Sequence, residues 1–182
     1  MIVPIGTTLH EIGHYIIAKF FFQLVEMQYG VVDYTHYIGN LNHSFSEFLV
    51  TLGGPISTIL VSLVFTFILF KVNLKKEKSL LLLPFSLFIS REVLISSFIL
   101  LKFNHTNTDE FKIFNYLELN PFIGASILLI TSIVFCGAVI YFKYPRNQHM
   151  NLLLFGTFGS VLGFVFWNYF QTGSLFINQI HN

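Results

Sequence analysis

Long apolar segments limit what this chain can fold into. A helix that crosses the hydrocarbon core of a bilayer needs about 20 mostly apolar residues. Segments of that length recur along the sequence, and only 10% of its 182 residues are charged, against about 25% in soluble domains. We therefore expect an all-α integral membrane protein, a bundle of about five transmembrane helices. The predicted spans are Ile2–Leu24, Phe48–Phe70, Leu80–Leu101, Phe122–Phe142 and Leu152–Phe170.

Charge and cysteine content exclude several other classes of protein. A formal net charge of +1 cannot supply the dense basic surface that nucleic acids require. The lone Cys136 excludes an internal disulfide and a cysteine-based metal cluster. Since the sequence has no proline- or serine-rich linker and no obvious repeat, we expect residues 1–182 to form a single integral membrane domain.

The first span, Ile2–Leu24, differs from the others because it carries ionisable residues near its middle, among them His10, Glu11 and His14. These residues interrupt the apolar run that a cleaved signal peptide needs, and no basic region precedes it. We therefore expect the segment to form a transmembrane helix. Ionisable side chains at mid-depth in a bilayer are costly and usually mark a functional site.

The connection between the first two spans, Val25–Asn42, partly alternates apolar and polar residues. This pattern predicts a short β-hairpin or strand at the membrane interface. An irregular, aromatic-rich connection fits the same residues equally well.

The sequence His10-Glu11-Ile12-Gly13-His14 matches the pattern H-E-x-x-H. On a helix, residues four apart differ by about 40° in direction, so both imidazoles face one side and can share a metal ion. Glu11 lies one residue further round, where it can reach a water beside the metal without binding the metal. This arrangement is typical of zinc hydrolases. The alternative is a helix whose histidines merely bond to neighbouring groups, but it leaves three ionisable groups in a span without a task.

A catalytic zinc ion has three protein ligands, so a third must come from elsewhere in the chain. Asp109, which follows the third span, and Glu92, at mid-depth within that span, are the two candidates. Glu92 adjoins Arg91, and adjacent residues on a helix diverge by about 100°, so we expect each to have its own partner. In one alternative, both residues have a structural role and hold helices together. In the functional alternative, Glu92 binds the metal or orients an imidazole, and Arg91 holds a carboxylate or a developing oxyanion.

The second span begins with Gly53-Gly54-Pro55. Small residues let helices approach closely, and proline leaves one backbone carbonyl without its helical donor. The motif therefore fits either ordinary helix packing or a wall that contacts a substrate.

Taken together, these motifs resemble the site-2 protease family of intramembrane zinc metalloproteases. The matching pieces are Leu9–Tyr15 in the first span, the short β-prone stretch after it, and Leu52–Pro55 in the second span. The resemblance implies hydrolysis of peptide bonds in or near the membrane, with His10 and His14 as zinc ligands and Glu11 as the catalytic base.

The resemblance also implies a third ligand, an aspartate in a later Asn-Pro…Asp-Gly motif. This chain contains no Asp-Gly, and Asn107-Thr108-Asp109-Glu110 is the nearest equivalent. Asp109 is therefore the third ligand that the resemblance favours.

We therefore expect a multi-pass membrane protein that binds one Zn²⁺ and cleaves a membrane-protein or membrane-proximal peptide substrate, with no nucleic-acid partner. The alternative is a catalytically inactive membrane protein that binds metal or other transmembrane helices.

Overall fold

The computed structural model describes residues 2–28, 31–71, 76–102 and 105–154, together with residues 156, 158, 159 and 162. Within these residues the fold is mostly helical, with one small sheet, as the sequence predicts. A 3₁₀ turn at His105–Asn107 precedes α5, and residues 146–154 are helical. The elements in chain order are α1 (Ile2–Phe21), β1 (Phe22–Gln28), β2 (Val31–Tyr37), α2 (His43–Lys71), α3 (Lys76–Ser86), α4 (Ser90–Leu100), α5 (Asp109–Tyr116) and α6 (Pro121–Lys143).

The helices follow the predicted spans with one interruption. The first, second and fourth spans correspond to α1, α2 and α6, whereas the third is divided into α3 and α4 by a turn at residues 87–89. Pro84 lies inside α3. Ile89 is the last residue of the turn, and its backbone N–H donates to Ser62 Oγ at 2.8 Å. A side chain of α2 thus replaces a helical acceptor where the third span bends. The predicted fifth span, Leu152–Phe170, lies mostly outside the described residues.

Within the described residues, three helical segments are long and apolar enough to cross a membrane: His43–Lys71, Ser79–Leu100 and Pro121–Lys143. Large apolar side chains of α2 and α6 point outward, including Leu60, Phe67 and Val134. Small polar side chains such as Ser62 and Ser132 are fully buried instead. The surface of the bundle is therefore apolar and its interior partly polar, which is the reverse of the usual distribution in water.

The two strands form an antiparallel hairpin directly after α1. Phe22 pairs with Tyr37, and Gln28 pairs with Val31 at the other end. The predicted hairpin is confirmed, but β1 begins at Phe22, so α1 ends three residues before the predicted end of the first span. Aromatic packing explains the early start, because the Phe22 ring lies 4.4 Å from the Tyr34 ring and 5.5 Å from the Tyr37 ring.

The closest helix contact joins α1 to α2 through glycines. A Cβ atom at Gly53 would lie 2.6 Å from the carbonyl oxygen of Gly13, and a Cβ atom at Gly13 would clash with the carbonyl of Gly53. Ser57 Oγ adds a hydrogen bond across the same contact, to the Leu9 carbonyl at 2.9 Å. Backbones approach this closely only where both residues lack a side chain.

Replacing Gly53 with alanine should destabilise the fold. The added methyl group forces α1 and α2 apart, and overpacking of this kind costs about 1–3 kcal/mol. Thermal unfolding of the purified protein in detergent measures the loss. Gly137→Ala is the matched control, because a Cβ atom at Gly137 in α6 meets nothing within 4 Å. Equal melting temperatures for the two variants would contradict the glycine contact.

Candidate metal centre

The imidazoles of His10 and His14 meet on the buried side of α1. Their Nε2 atoms lie 3.1 Å apart, and the rings are nearly perpendicular, with centroids 4.7 Å apart. Both residues are buried. The spacing of four residues thus brings the two rings together, as expected for one face of a helix.

Asp109 reaches both imidazoles from the first turn of α5. Its Oδ2 atom lies 3.0 Å from Nε2 of His10 and 3.1 Å from Nε2 of His14. Thr108 caps this helix, accepting from the Phe111 N–H at 3.3 Å. The cap ends the preceding turn and starts α5 at the residue that faces the histidines.

The hydrogen bonds at the opposite nitrogens indicate which ring nitrogens are protonated. His14 Nδ1 lies 2.7 Å from the carbonyl oxygen of Val50, which only accepts, so this nitrogen carries the proton. His10 Nδ1 lies 3.2 Å from Thr58 Oγ1, whose own hydrogen points to the Gly54 carbonyl. We therefore assign the proton of each neutral imidazole to Nδ1.

With these protonation states, three lone-pair atoms converge: Nε2 of His10, Nε2 of His14 and Oδ2 of Asp109. Three acceptors this close repel one another; the Arg91 guanidinium relieves this repulsion at His10 Nε2, and a metal ion would relieve it at all three atoms. Atoms that bind one tetrahedral Zn²⁺ at about 2.0–2.1 Å are about 3.3 Å apart, and these three are separated by 3.0, 3.1 and 3.1 Å. The group could therefore hold a metal ion.

Gly54 provides the space for this triangle of donor atoms. A Cβ atom at Gly54 would lie 2.5 Å from Nε2 of His10 and would also clash with Nε2 of His14. Gly53 is buried beside it in the contact with α1, and Pro55 is also buried. The structure therefore shows a packing role for Gly53 and Gly54. Contact between all three residues and a substrate stays a prediction.

Glu11 lies beside the triangle without belonging to it. Its side chain is partly buried and interacts electrostatically with His14, Asp109 and Arg91. The role of Glu11 as a base next to a metal stays a prediction.

Arg91 joins α4 to the same centre. Its Nη2 atom donates to His10 Nε2 at 3.2 Å, and Nη1 donates to Glu110 Oε1 at 2.9 Å. Nη1 also donates to Glu92 Oε1 at 3.1 Å. Arg91 thus has the separate partners that we expected, Glu110 and His10, but it also pairs with Glu92, which we did not expect. The 100° divergence describes where the side chains leave the helix, and the long arginine side chain bends back toward its neighbour.

The two candidate third ligands occupy different places. Asp109 lies against both imidazoles, whereas Glu92 lies against Arg91. Arg91, not Glu92, is the residue of α4 that contacts His10.

Glu110 is the group that sequence reasoning missed. It is 3% exposed and forms the shorter of the two ion pairs to Arg91. The sequence shows that Glu110 directly follows Asp109. An acidic residue in the first turn of a helix is favourable in water as well, so this position does not indicate burial. The bond of Thr58 to His10 Nδ1 was not predicted either, because it joins residues 48 positions apart.

The site holds more acidic than basic side chains. Glu11, Glu92, Asp109 and Glu110 gather around a single guanidinium, that of Arg91. Among the described residues, Glu92 Oε2 and Glu110 Oε2 are buried without a hydrogen-bond partner. Buried negative charge is expensive unless it is compensated. A divalent cation at the triangle supplies such compensation.

In comparisons with known proteins, no family model, no curated protein and no solved structure matches this chain.

Zinc binding should depend on Asp109 and not on Glu92. Losing a residue that merely orients a ligand lowers metal affinity by about 10–100-fold, so Asp109→Asn, which removes a ligand, should cost more than that. Glu92→Gln should leave zinc affinity close to that of the wild type. Competition with a chromophoric chelator measures both values. The opposite ranking would make Glu92 the third ligand.

Proposed function

We propose that this protein is a membrane-embedded zinc metalloprotease that hydrolyses peptide bonds in or near transmembrane segments. The observation that carries the proposal is the convergence of His10, His14 and Asp109, with the Glu11 carboxylate beside them. The resemblance of Leu9–Tyr15 and Leu52–Pro55 to the site-2 protease family supports the same assignment.

Each residue of the centre has a defined task in this reaction. Zn²⁺ held by the three donor atoms would polarise the scissile carbonyl and lower the pKa of a water molecule. Glu11 accepts the proton of that water and returns it to the leaving amine. His14 is held in place by the Val50 carbonyl, and His10 by Thr58. Fixed ligand orientation of this kind maintains the metal geometry during the reaction.

A membrane location is supported by the surface of the helices. Three segments are long and apolar enough to cross a bilayer, and their outward side chains are largely apolar. The donor triangle lies between α1, α2 and α5, of which α2 is one of these three segments. We infer that the protein spans the membrane several times and that its substrate is a membrane-protein or membrane-proximal peptide.

A cavity near the centre would admit such a peptide. A cavity of about 310 Å³ lies between β2, the first half of α2, and α5, with Glu47 and Lys112 among its lining residues. Ile113, also in its wall, is one helical turn beyond Asp109. A helical substrate hides its carbonyls and must unwind before cleavage. The hairpin edge would hold the unwound segment as an added strand.

The substitution Glu11→Gln separates the protease from a metal-binding protein that does not cleave. Because Glu11 is not a donor atom of the triangle, the variant should retain its zinc. Without the proton acceptor, cleavage of a transmembrane reporter should fall by about 10²–10⁴-fold. Zinc content and cleavage are measured on the same preparation.

The matched control is Glu118→Gln, an exposed position outside the site, which should match the wild type in both measurements. Unchanged cleavage in Glu11→Gln would sink the protease proposal. Zinc binding without cleavage in the wild type would favour the inactive metal-binding alternative.

A further inference from the structure

The proposed zinc ligand Asp109 and the buried Glu110 are consecutive residues of one short helix. Asp109 turns toward the histidines of α1, while Glu110 turns toward Arg91 of α4. An isolated helix of eight residues is unstable in water, so tertiary contacts decide where α5 lies.

Separate contacts hold the two ends of α5. At its C-terminal end, the Tyr116 ring stacks on Phe48 at 4.3 Å, and Phe114 packs against Gly124 at the start of α6. In the first turn, Glu110 is bound to Arg91 at 2.9 Å. The Arg91–Glu110 ion pair is therefore one of the contacts that place the Asp109 carboxylate, together with the Thr108 cap.

The same guanidinium contacts a second ligand. Arg91 Nη2 lies 3.2 Å from Nε2 of His10, the nitrogen that faces Asp109. Because this nitrogen has one lone pair, it cannot accept from Arg91 and bind zinc at the same time. The ion pair to Glu110 is therefore the contact of Arg91 that zinc binding leaves in place.

We propose that Arg91 and Glu110 are positioning residues that set the metal affinity of the His10–His14–Asp109 centre by holding the first turn of α5 beside α4, where Asp109 faces the histidines of α1. This inference rests on the proposed zinc centre. Neither residue binds the metal. Their ion pair lowers the free-energy cost of ordering Asp109. A lower cost means a smaller zinc dissociation constant.

The neighbouring Glu92 provides a matched comparison. Glu92 and Glu110 both accept from Arg91 Nη1, and they are 1% and 3% exposed. However, Glu92 lies on α4 itself, next to Arg91, so its bond cannot connect α4 to α5. The same substitution at the two positions changes a similarly buried carboxyl group, but only Glu110→Gln removes a connection between α4 and α5.

The experiment measures the zinc dissociation constant of the full-length protein in detergent by chelator competition. Glu110→Gln should weaken zinc binding about 10-fold, the lower end of the effect of residues that orient ligands. Glu92→Gln should leave zinc binding unchanged. Co²⁺ substitution adds a second readout, because a displaced Asp109 changes the d–d absorption spectrum of the bound Co²⁺ in Glu110→Gln alone. A merely structural role would lower the melting temperatures of both apo variants without this selective spectral change.

Arg91→Lys tests the other partner and covers the case in which Glu110→Gln does not fold. Lysine keeps the charge but lacks the planar fork that reaches two groups, so zinc binding should weaken as in Glu110→Gln. The double variant should be little weaker than either single variant, since both act through one contact. Arg146→Lys, at an exposed arginine, is the control.

Equal zinc affinities of Glu110→Gln and Glu92→Gln would overturn the inference while leaving the zinc centre in place, as would additive effects in the double variant. The centre is tested separately with His10→Ala, which should abolish tight zinc binding. A wild type that binds no zinc through His10 would refute the proposed function and this inference with it.

Discussion

The backbones of α1 and α2 touch where Gly13 meets Gly53, and the rest of the site depends on that contact. It brings the carbonyl of Val50 within reach of His14 and Thr58 within reach of His10, so that α2 orients both rings. It also places Gly54 directly against the two Nε2 atoms. A side chain at any of these glycines would separate the helices or occupy the space where the donor atoms converge. Close helix packing and the geometry of the donor atoms therefore both require residues without a side chain at Gly53 and Gly54 of α2.

Charge is the second constraint. The outer surfaces of α2 and α6 are apolar, whereas the interior holds four carboxylates, one guanidinium and two imidazoles near one another. Each of these groups would be costly in an apolar interior if it were alone. Together they form a network in which His14 Nδ1 donates to the Val50 carbonyl and His10 Nδ1 to the Thr58 hydroxyl, and in which acidic side chains outnumber the guanidinium. Such a network is stabilised by a cation at the donor triangle, and this agrees with the geometry of the three donor atoms.

Much of the organisation of the chain was predictable from local patterns. The apolar runs indicate α2 and α6, since hydrophobic length is a property of a continuous segment, and the alternation after the first span indicates the hairpin. The break between α3 and α4 was not predicted, although Pro84 lies close to it. A proline inside a long apolar run is compatible with a continuous helix, and the turn at residues 87–89 becomes favourable because Ser62 of α2 accepts the Ile89 N–H. That acceptor comes from 27 positions away, beyond the reach of any local pattern.

The pairing of His10 with His14 also follows from local geometry, because residues four apart lie on one face of any helix. The sequence likewise indicates that Glu11 adjoins them. Which carboxylate joins the two histidines is a different question, since Asp109 is 95 positions from His14 and depth in the membrane alone favoured Glu92. Tertiary packing places Asp109 at the imidazoles and Glu92 at Arg91. It also buries Glu110, whose importance no residue pattern indicates. The helix repeat aligns groups along one element, but only the contacts among α1, α2, α4 and α5 determine which side chains from distant segments meet at the centre.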